Sequence, residues 1–228
     1  MEWWHMGIGG LLAALGGLLA LKAVASSSSS SSSSLPPLEP LDLKTIRFLP
    51  AKFFRPGPAG GRAINWIVIH TAETGESPTS AEGIAAYFAN PRDKAGNPVI
   101  ASAHYSVDNN SIVQSVNDRD VAHAAPPMND EGIHLELAGT YAQNATQWGD
   151  QFSVAQLELA ARLLKAKADA YAVPIQWVDV DGLKRGERGF TSHVNVSKAF
   201  GKSTHQDPGP NFPVDHFLDL VRSTKSAA

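Results

Sequence analysis

Apolar residues along this chain recur in two rhythms, separated by clusters of Pro, Gly and Asn. One is the short β-branched run. Ile64 to Ile69 (Ile-Asn-Trp-Ile-Val-Ile) predicts a buried strand. Ala101 to Val107 and Ile112 to Val116 predict two strands of a hairpin turning at Asp108-Asn-Asn110. Ile133 to Ala138 predicts a further strand, and Val173 to Val178 a last short one. The other rhythm is helical. Ser80 reads as the cap of a helix over Ala81 to Ala89, with Ile84, Ala85 and Phe88 on one face. Ser153-Val-Ala-Gln156 reads as a capping box. It opens a helix to about Tyr171, with Val154, Leu157, Ala161, Leu164 and Ala168 at helical spacing. Pro213, followed by Phe217, Leu220 and Val221, predicts a C-terminal helix.

Strands and helices alternate, with one hairpin and no internal repeat. The fold class predicted is α/β: a single domain with a central mixed β-sheet flanked by helices. An N-terminal apolar helix on a Ser/Pro-rich linker precedes it. The expected division is 1–25, an apolar membrane-anchor or signal-like segment; 26–42, the linker; and 43–228, the domain.

The N-terminus is different material. Gly7 to Ala25 spans 19 residues whose only charge is Lys22, a length that suits a bilayer crossing. It is rich in Gly and Ala and lacks a basic leader. A membrane-associated helix is the favoured reading; a cleaved export signal and a soluble or partner-binding helix are the alternatives. Lys22, Lys44 and Arg47 follow the apolar stretch and weakly favour a cytoplasmic C-terminus by the positive-inside rule. Nine consecutive serines, Ser26 to Ser34, then Leu35-Pro-Pro-Leu-Glu-Pro40, predict a flexible tether with a stiffer end. Fifteen such residues span about 20–25 Å r.m.s..

Composition narrows the chemistry. A net charge of −3 with no basic cluster argues against a nucleic-acid partner. Without cysteine there are no disulfides and no thiolate ligands. There is no Gly-x-Ser-x-Gly elbow, phosphate-binding loop or dinucleotide fingerprint.

Three residues remain as candidates for a site. They are His70 in Ile67-Val-Ile-His-Thr71, His193 in Thr191-Ser-His-Val194, and Asp207 in His205-Gln-Asp-Pro-Gly209. Two imidazoles and a carboxylate from separate segments, with a fourth position open, are what a catalytic zinc site needs. Such an ion acidifies a water and polarises a carbonyl. By spacing alone the pattern is weak, and packed histidines are the commoner alternative. By period-two alternation, His134 and Glu136 share one strand face while Ile133, Leu135 and Leu137 take the other.

Five motifs occur in order: Ile64-Asn-Trp-Ile-Val-Ile-His-Thr71, Ser102-Ala-His-Tyr105, Ile133-His-Leu-Glu-Leu137, Ser192-His-Val-Asn-Val-Ser197 and Asp207-Pro-Gly-Pro-Asn-Phe212. Together, over roughly Leu43 to Thr224, they resemble the zinc-dependent N-acetylmuramoyl-L-alanine amidases. That family includes phage amidase-type lysozymes and the peptidoglycan recognition proteins. The resemblance implies Zn2+ on His70, His193 and Asp207, with Glu136 as the proton shuttle. His205 stands where many relatives carry lysine and implies an oxyanion-stabilising donor. The resemblance implies His123 at the cleft wall as a substrate contact; Thr71, Ala72 and Glu73, which follow His70 in the chain, are expected to line the cleft. His134 replaces a common glycine of the family; facing the cleft, it would narrow it or perturb Glu136, so it joins the substrate-binding candidates.

His104 is expected as a buried structural partner. Trp66, Trp148, Trp177, His5 and His216 receive no role. The resemblance further implies a peptidoglycan or muropeptide substrate, hydrolysis of the amide between N-acetylmuramic acid and L-alanine, and action in the cell envelope, in wall lysis or remodelling. A monomer is expected. The alternatives are a non-catalytic peptidoglycan-recognition module and a cytoplasmic muropeptide-recycling amidase.

Overall fold

The computed structural model describes residues 35–227. The apolar segment 1–25 and the serine run lie outside the described residues. Among the described residues no helix is long and apolar enough to cross a membrane.

Six strands form one mixed sheet: β1 (Arg47–Phe48), β2 (Trp66–Thr71), β3 (Tyr105–Val107), β4 (Ile112–Gln114), β5 (Gly132–Leu137) and β6 (Gly189–Ser192). Their order is β1-β4-β3-β5-β2-β6. β3, β5, β2 and β6 run parallel; β4 is antiparallel to β3, and β1 is parallel to β4. The helices are α1 (Ser80–Ala89), α2 (Ala145–Trp148), α3 (Gln151–Tyr171), α4 (Val180–Lys184), α5 (His193–Phe200) and α6 (Val214–Ser223). This is the expected α/β class.

Alternation along the strands sorts the two faces. Ile67 and Ile69 of β2, Ile133, Leu135 and Leu137 of β5, Tyr105, Val107 and Phe190 form one apolar face. It packs against Leu157, Leu164 and Ala168 of α3 and Phe217, Leu220 and Val221 of α6. On the opposite face, α1 contributes Ile84 and Phe88 beside Ala103 and Val116. Val196 of α5 and Leu183 of α4 cover Val68 there. This second face is only partly apolar and carries the histidines.

A buried carboxylate ties the hairpin to α1. Asp108 Oδ1 accepts from the backbone N–H groups of Asn110 and Ser111, and Oδ2 accepts from Ala81 N at 3.0 Å. Asp108 therefore caps the N-terminus of α1 from a distant turn, where a negative charge also suits the helix dipole.

Several expected elements differ in detail, each for a local reason. Ser80 is the first residue of α1 rather than its cap, because its hydroxyl donates back to Gly75 O. The box at Ser153–Gln156 is absent. Asp150 caps α3 earlier, and the Gln156 amide instead donates to Val107 O and Ala138 O at the ends of β3 and β5. Val154 is exposed. A capping box does occur, at Asn144 and Gln147 of α2. The hairpin strands are shorter than expected, since Ser115 N and Val116 N share the single carbonyl of His104 and interrupt the ladder. Val173 to Val178 is not a strand; it contributes one bridge, Trp177 to Phe190. Residues 35–42, read as linker, lie on the domain. Leu35, Leu38 and Leu41 pack against the core, and Lys225 N donates to Leu38 O at 2.9 Å.

Leu164 is fully buried between the sheet and α6. Replacing it with Ala should cost about 2–5 kcal/mol. Urea denaturation followed by far-UV circular dichroism checks this, with the midpoint falling at unchanged slope.

Candidate active site and metal centre

The parallel register builds the site. His70 of β2 lies beside Glu136 of β5, and Glu136 lies beside Ser106 of β3. On the other side, Ile69 pairs with Ser192 of β6, so the next residue, His193, falls beside His70. One rung across the sheet thus reads Ser106, Glu136, His70, His193. Asp207 reaches this rung from the loop between α5 and α6. Its carbonyl accepts from Val194 N at 2.9 Å, which fixes the loop to the start of α5. The Asp207–Pro208 peptide is cis. Gly209 has φ +92°, and a Cβ there would lie 1.9 Å from Tyr141 O. Only glycine lets this turn press against the loop that follows β5.

Three donor atoms converge. His70 Nδ1 is 3.1 Å from His193 Nδ1 and 3.1 Å from Asp207 Oδ2, and His193 Nδ1 is 3.3 Å from Asp207 Oδ1. All three residues are buried. Tetrahedral bonds of about 2.1 Å place neighbouring donor atoms about 3.4 Å apart. The spacing and the two-imidazole, one-carboxylate donor set therefore fit a zinc ion. The other ring nitrogens face outward from this point. His193 Nε2 meets Ser203 Oγ at 3.2 Å, itself bonded to Ser197 Oγ, and His70 Nε2 meets His134 Nδ1 at 3.1 Å.

The electrostatics suit a cation. Burial raises the proton affinity of Asp207, but hydrogen bonds with His193 and His70 outweigh it and hold the carboxyl below its ordinary range. Burial lowers the His193 pKa against the pull of Asp207, favouring the neutral ring that ligates metals. Glu136 is pushed well above its ordinary value by burial, with the charges of Asp207 and Glu73 adding to it. Its Oε2 is buried without a hydrogen-bond partner, as is Ser106 Oγ beside it.

A cleft of about 190 Å3 opens over the rung and is lined by His70, Thr71, Ser102, His123, Glu136 and His205, among others. A neighbouring hollow of about 300 Å3 shares Glu73, His205 and Asp207 with it and adds Tyr141 and Gln206. His205 has a side chain 63% exposed, stacks on His193 with ring centroids 4.2 Å apart, and sets Nδ1 3.3 Å from Asp207 Oδ1. Thr71 donates to Glu73 Oε1. His123 leans on Phe53, centroids 4.6 Å apart. His70, His193, Asp207, Glu136, His205, His123 and Thr71 are thus brought together as expected.

His134 is not at the cleft. It is fully buried behind His70, so it can neither narrow the cleft nor touch a substrate there. The reason is depth. It sits one rung below Glu136 on the same face, where the next layer of side chains closes over it. Tyr141, Ser102 and Ser203 were missed by sequence reasoning. Tyr141 carried one signal, an aromatic residue in the loop after a strand. His104 is fully buried, as expected, and Trp148 and Trp177 pack against Phe212.

Burial, with the Arg62 guanidinium beside it, pulls the His104 pKa down to about 3. In the unfolded chain it titrates near 6.5. Protons therefore favour the unfolded state below that value. The stability given by neutral His104 is full above about pH 6.5 and is lost as pH falls toward 3, by up to about 1.4 kcal/mol per pH unit. Denaturation of metal-free protein at pH 7, 6 and 5 checks this: His104→Asn should show the shallower dependence, and equal slopes would refute it.

The profile of the family described as N-acetylmuramoyl-L-alanine amidase (Amidase_2) matches residues 60–210, about two thirds of the chain. No curated protein matches the chain by sequence. Among solved structures, the fold is similar to the Staphylococcus aureus hydrolase AmiA in complex with its ligand, with a TM-score of 0.59 and 19% identity over 83% of each chain. It is also similar to an AmpD derivative, TM-score 0.56, 20% identical over 77% of this chain and 94% of that one. The catalytic domain of XlyA gives a TM-score of 0.52 at 16% identity, over 82% of this chain and 99% of that one. At these identities the structures speak for the fold, and the family profile speaks for descent. The chain belongs to the amidase type 2 family of N-acetylmuramoyl-L-alanine amidases.

Proposed function

We propose that this chain is a zinc-dependent peptidoglycan hydrolase that cleaves the amide between N-acetylmuramic acid and the L-alanine of the stem peptide. The observation that carries the reading is the convergence of His70, His193 and Asp207 next to Glu136, at the floor of an open cleft.

Zinc held by His70, His193 and Asp207 would supply Lewis-acid polarisation of the amide carbonyl and acidification of water. Glu136 accepts a proton from the attacking water as its oxygen bonds to the carbonyl carbon. It then delivers that proton to the amide nitrogen as the carbon–nitrogen bond breaks. The products are a lactyl carboxylate and a free α-amine. The high proton affinity that burial, Asp207 and Glu73 give Glu136 suits a group that must first take a proton and then pass it on. His205, exposed at the cleft and stacked on His193, is placed to donate to the developing oxyanion. Thr71 and His123 line the cleft and are assigned to substrate contact. The proposed place of action is the cell envelope, with residues 7–25 as the membrane-associated segment.

Mass spectrometry of purified peptidoglycan digested with the protein tests the reading. Release of stem peptides with an L-alanine amino terminus is expected, abolished by a chelator and restored by zinc. Binding to the wall without this product would make the chain a recognition module instead. Glu136→Gln should lower kcat about 10²–10⁴-fold while leaving zinc content unchanged, as read by metal analysis. Asp207→Ala should lose both zinc and activity.

A further inference from the structure

Each ring that converges on the metal centre has a second nitrogen, and the two are supported differently. Behind His193 stands a hydroxyl, Ser203, which is partly exposed and can either donate or accept. Behind His70 stands an imidazole with no exposure at all. His134 Nδ1 lies 3.1 Å from His70 Nε2, the ring centroids are 5.3 Å apart, and the planes are inclined by 49°.

The surroundings of His134 are shaped to this ring. Gly132 lies two residues earlier on the same strand face, and a Cβ there would stand 2.9 Å from His134 Nε2. His104 stacks on the other side, 12° from parallel with centroids 5.8 Å apart, and its Nδ1 accepts from the backbone N–H of His134 at 3.1 Å. Arg62 closes the base of the column, donating to Gly132 O at 3.0 Å. Yet His134 Nε2 is buried without a partner. An unpartnered polar atom in a core costs about 1–3 kcal/mol. An apolar ring would avoid that cost, so the contact made by Nδ1 is what the imidazole contributes.

We propose that His134 is the positioning residue of the metal centre, the group that selects the ligating nitrogen of His70 and fixes the angle of its ring. The inference rests on the reading of His70 as a metal ligand. Ligation through Nδ1 leaves the proton of a neutral His70 on Nε2. His70 Nε2–H then donates to His134 Nδ1, and the proton of His134 sits on Nε2, the atom that needs no partner for this role. Support of this kind orients a ligand and raises its basicity, and its loss weakens metal binding about 10–100-fold.

The test is a competition titration of Zn2+ against a chromophoric chelator, made on the full chain. His134→Phe, which keeps a ring but removes the acceptor, should bind zinc about 10–100-fold more weakly than wild type. His134→Asn, whose Oδ1 stands where Nδ1 stood, should bind with affinity close to wild type. Equal affinity in His134→Phe, or His134→Asn as weak as His134→Phe, overturns the assignment. A wild-type protein that takes up no zinc overturns the metal reading itself, and the positioning role with it. A second measurement stands if His134→Phe does not fold. In zinc-loaded wild type, imidazole 1H–15N correlation should show the His70 proton on Nε2 and protected from exchange. A His70 proton on Nδ1, or one exchanging at the solvent rate, overturns the assignment.

Discussion

Everything at the active site depends on the in-register parallel pairing of β5, β2 and β6. No two of Glu136, His70 and His193 are close in sequence, and no local turn could gather them. The sheet does so because residues paired across a parallel ladder share a face and a height. A slip of one residue in β5 would turn Glu136 into the apolar core and bring Leu135 or Leu137 to the site. That slip is opposed by Ile133, Leu135 and Leu137, all fully buried against α3. The apolar face thus sets the register, and the register sets the chemistry on the other face.

The fourth participant, Asp207, comes from outside the sheet, and it is held by backbone rather than by side chains. Val194 N–H fixes its carbonyl, and Gly209 lets the following turn lie against Tyr141. A buried carboxylate facing two buried rings is costly unless positive charge or hydrogen-bond donors meet it. Here the donors are the rings themselves, and a divalent cation at the convergence point would satisfy all three groups at once. Glu136 has no such partner among the described residues, which is why its proton affinity rises while that of Asp207 falls, although both are buried.

The sequence was readable wherever an element carried its own periodicity. β2, β5, α1, α3 and α6 all announced themselves through apolar spacing, and the faces of β5 followed from strict alternation. What escaped was short or held from afar. β6 is four residues, Gly-Phe-Thr-Ser, too short to show a period. α5 begins at His193 and was assigned no element from the sequence, although Ser192 caps it and Gly201 ends it at φ +64°. The caps at Ser80 and Ser153 failed because other acceptors took the backbone donors first: Asp108, from a distant turn, for α1, and Asp150, three residues before Ser153, for α3. The site residues were legible as a family pattern, and the structure supplied what the pattern lacks, which is depth. Nothing in Ile133-His-Leu-Glu-Leu137 says that Glu136 reaches the cleft while His134, on the same face, does not.

That difference in depth explains why the face bearing the site cannot be an ordinary core. An apolar layer directly beneath His70 would leave its outer nitrogen without a partner in the low-dielectric interior, at a cost comparable to a lost hydrogen bond. The chain instead stacks polar groups in order away from the cleft: His70, then His134, then His104, then the Arg62 guanidinium, which reaches Asp118 O and Asn129 O nearer the surface. The ring-to-ring hydrogen bonding ends at His134, whose Nε2 has no partner; beyond it the column continues through the His134 backbone N–H, which donates to His104 Nδ1, and through Arg62, which reaches part-exposed backbone. The helices over this face are therefore not closed by one continuous apolar cluster. Their contacts divide into separate groups around Ile84 and Phe88 on one side and Val196 and Leu183 on the other. The polar column runs between them. The opposite face, carrying no such obligation, gathers the large continuous core that holds the domain together.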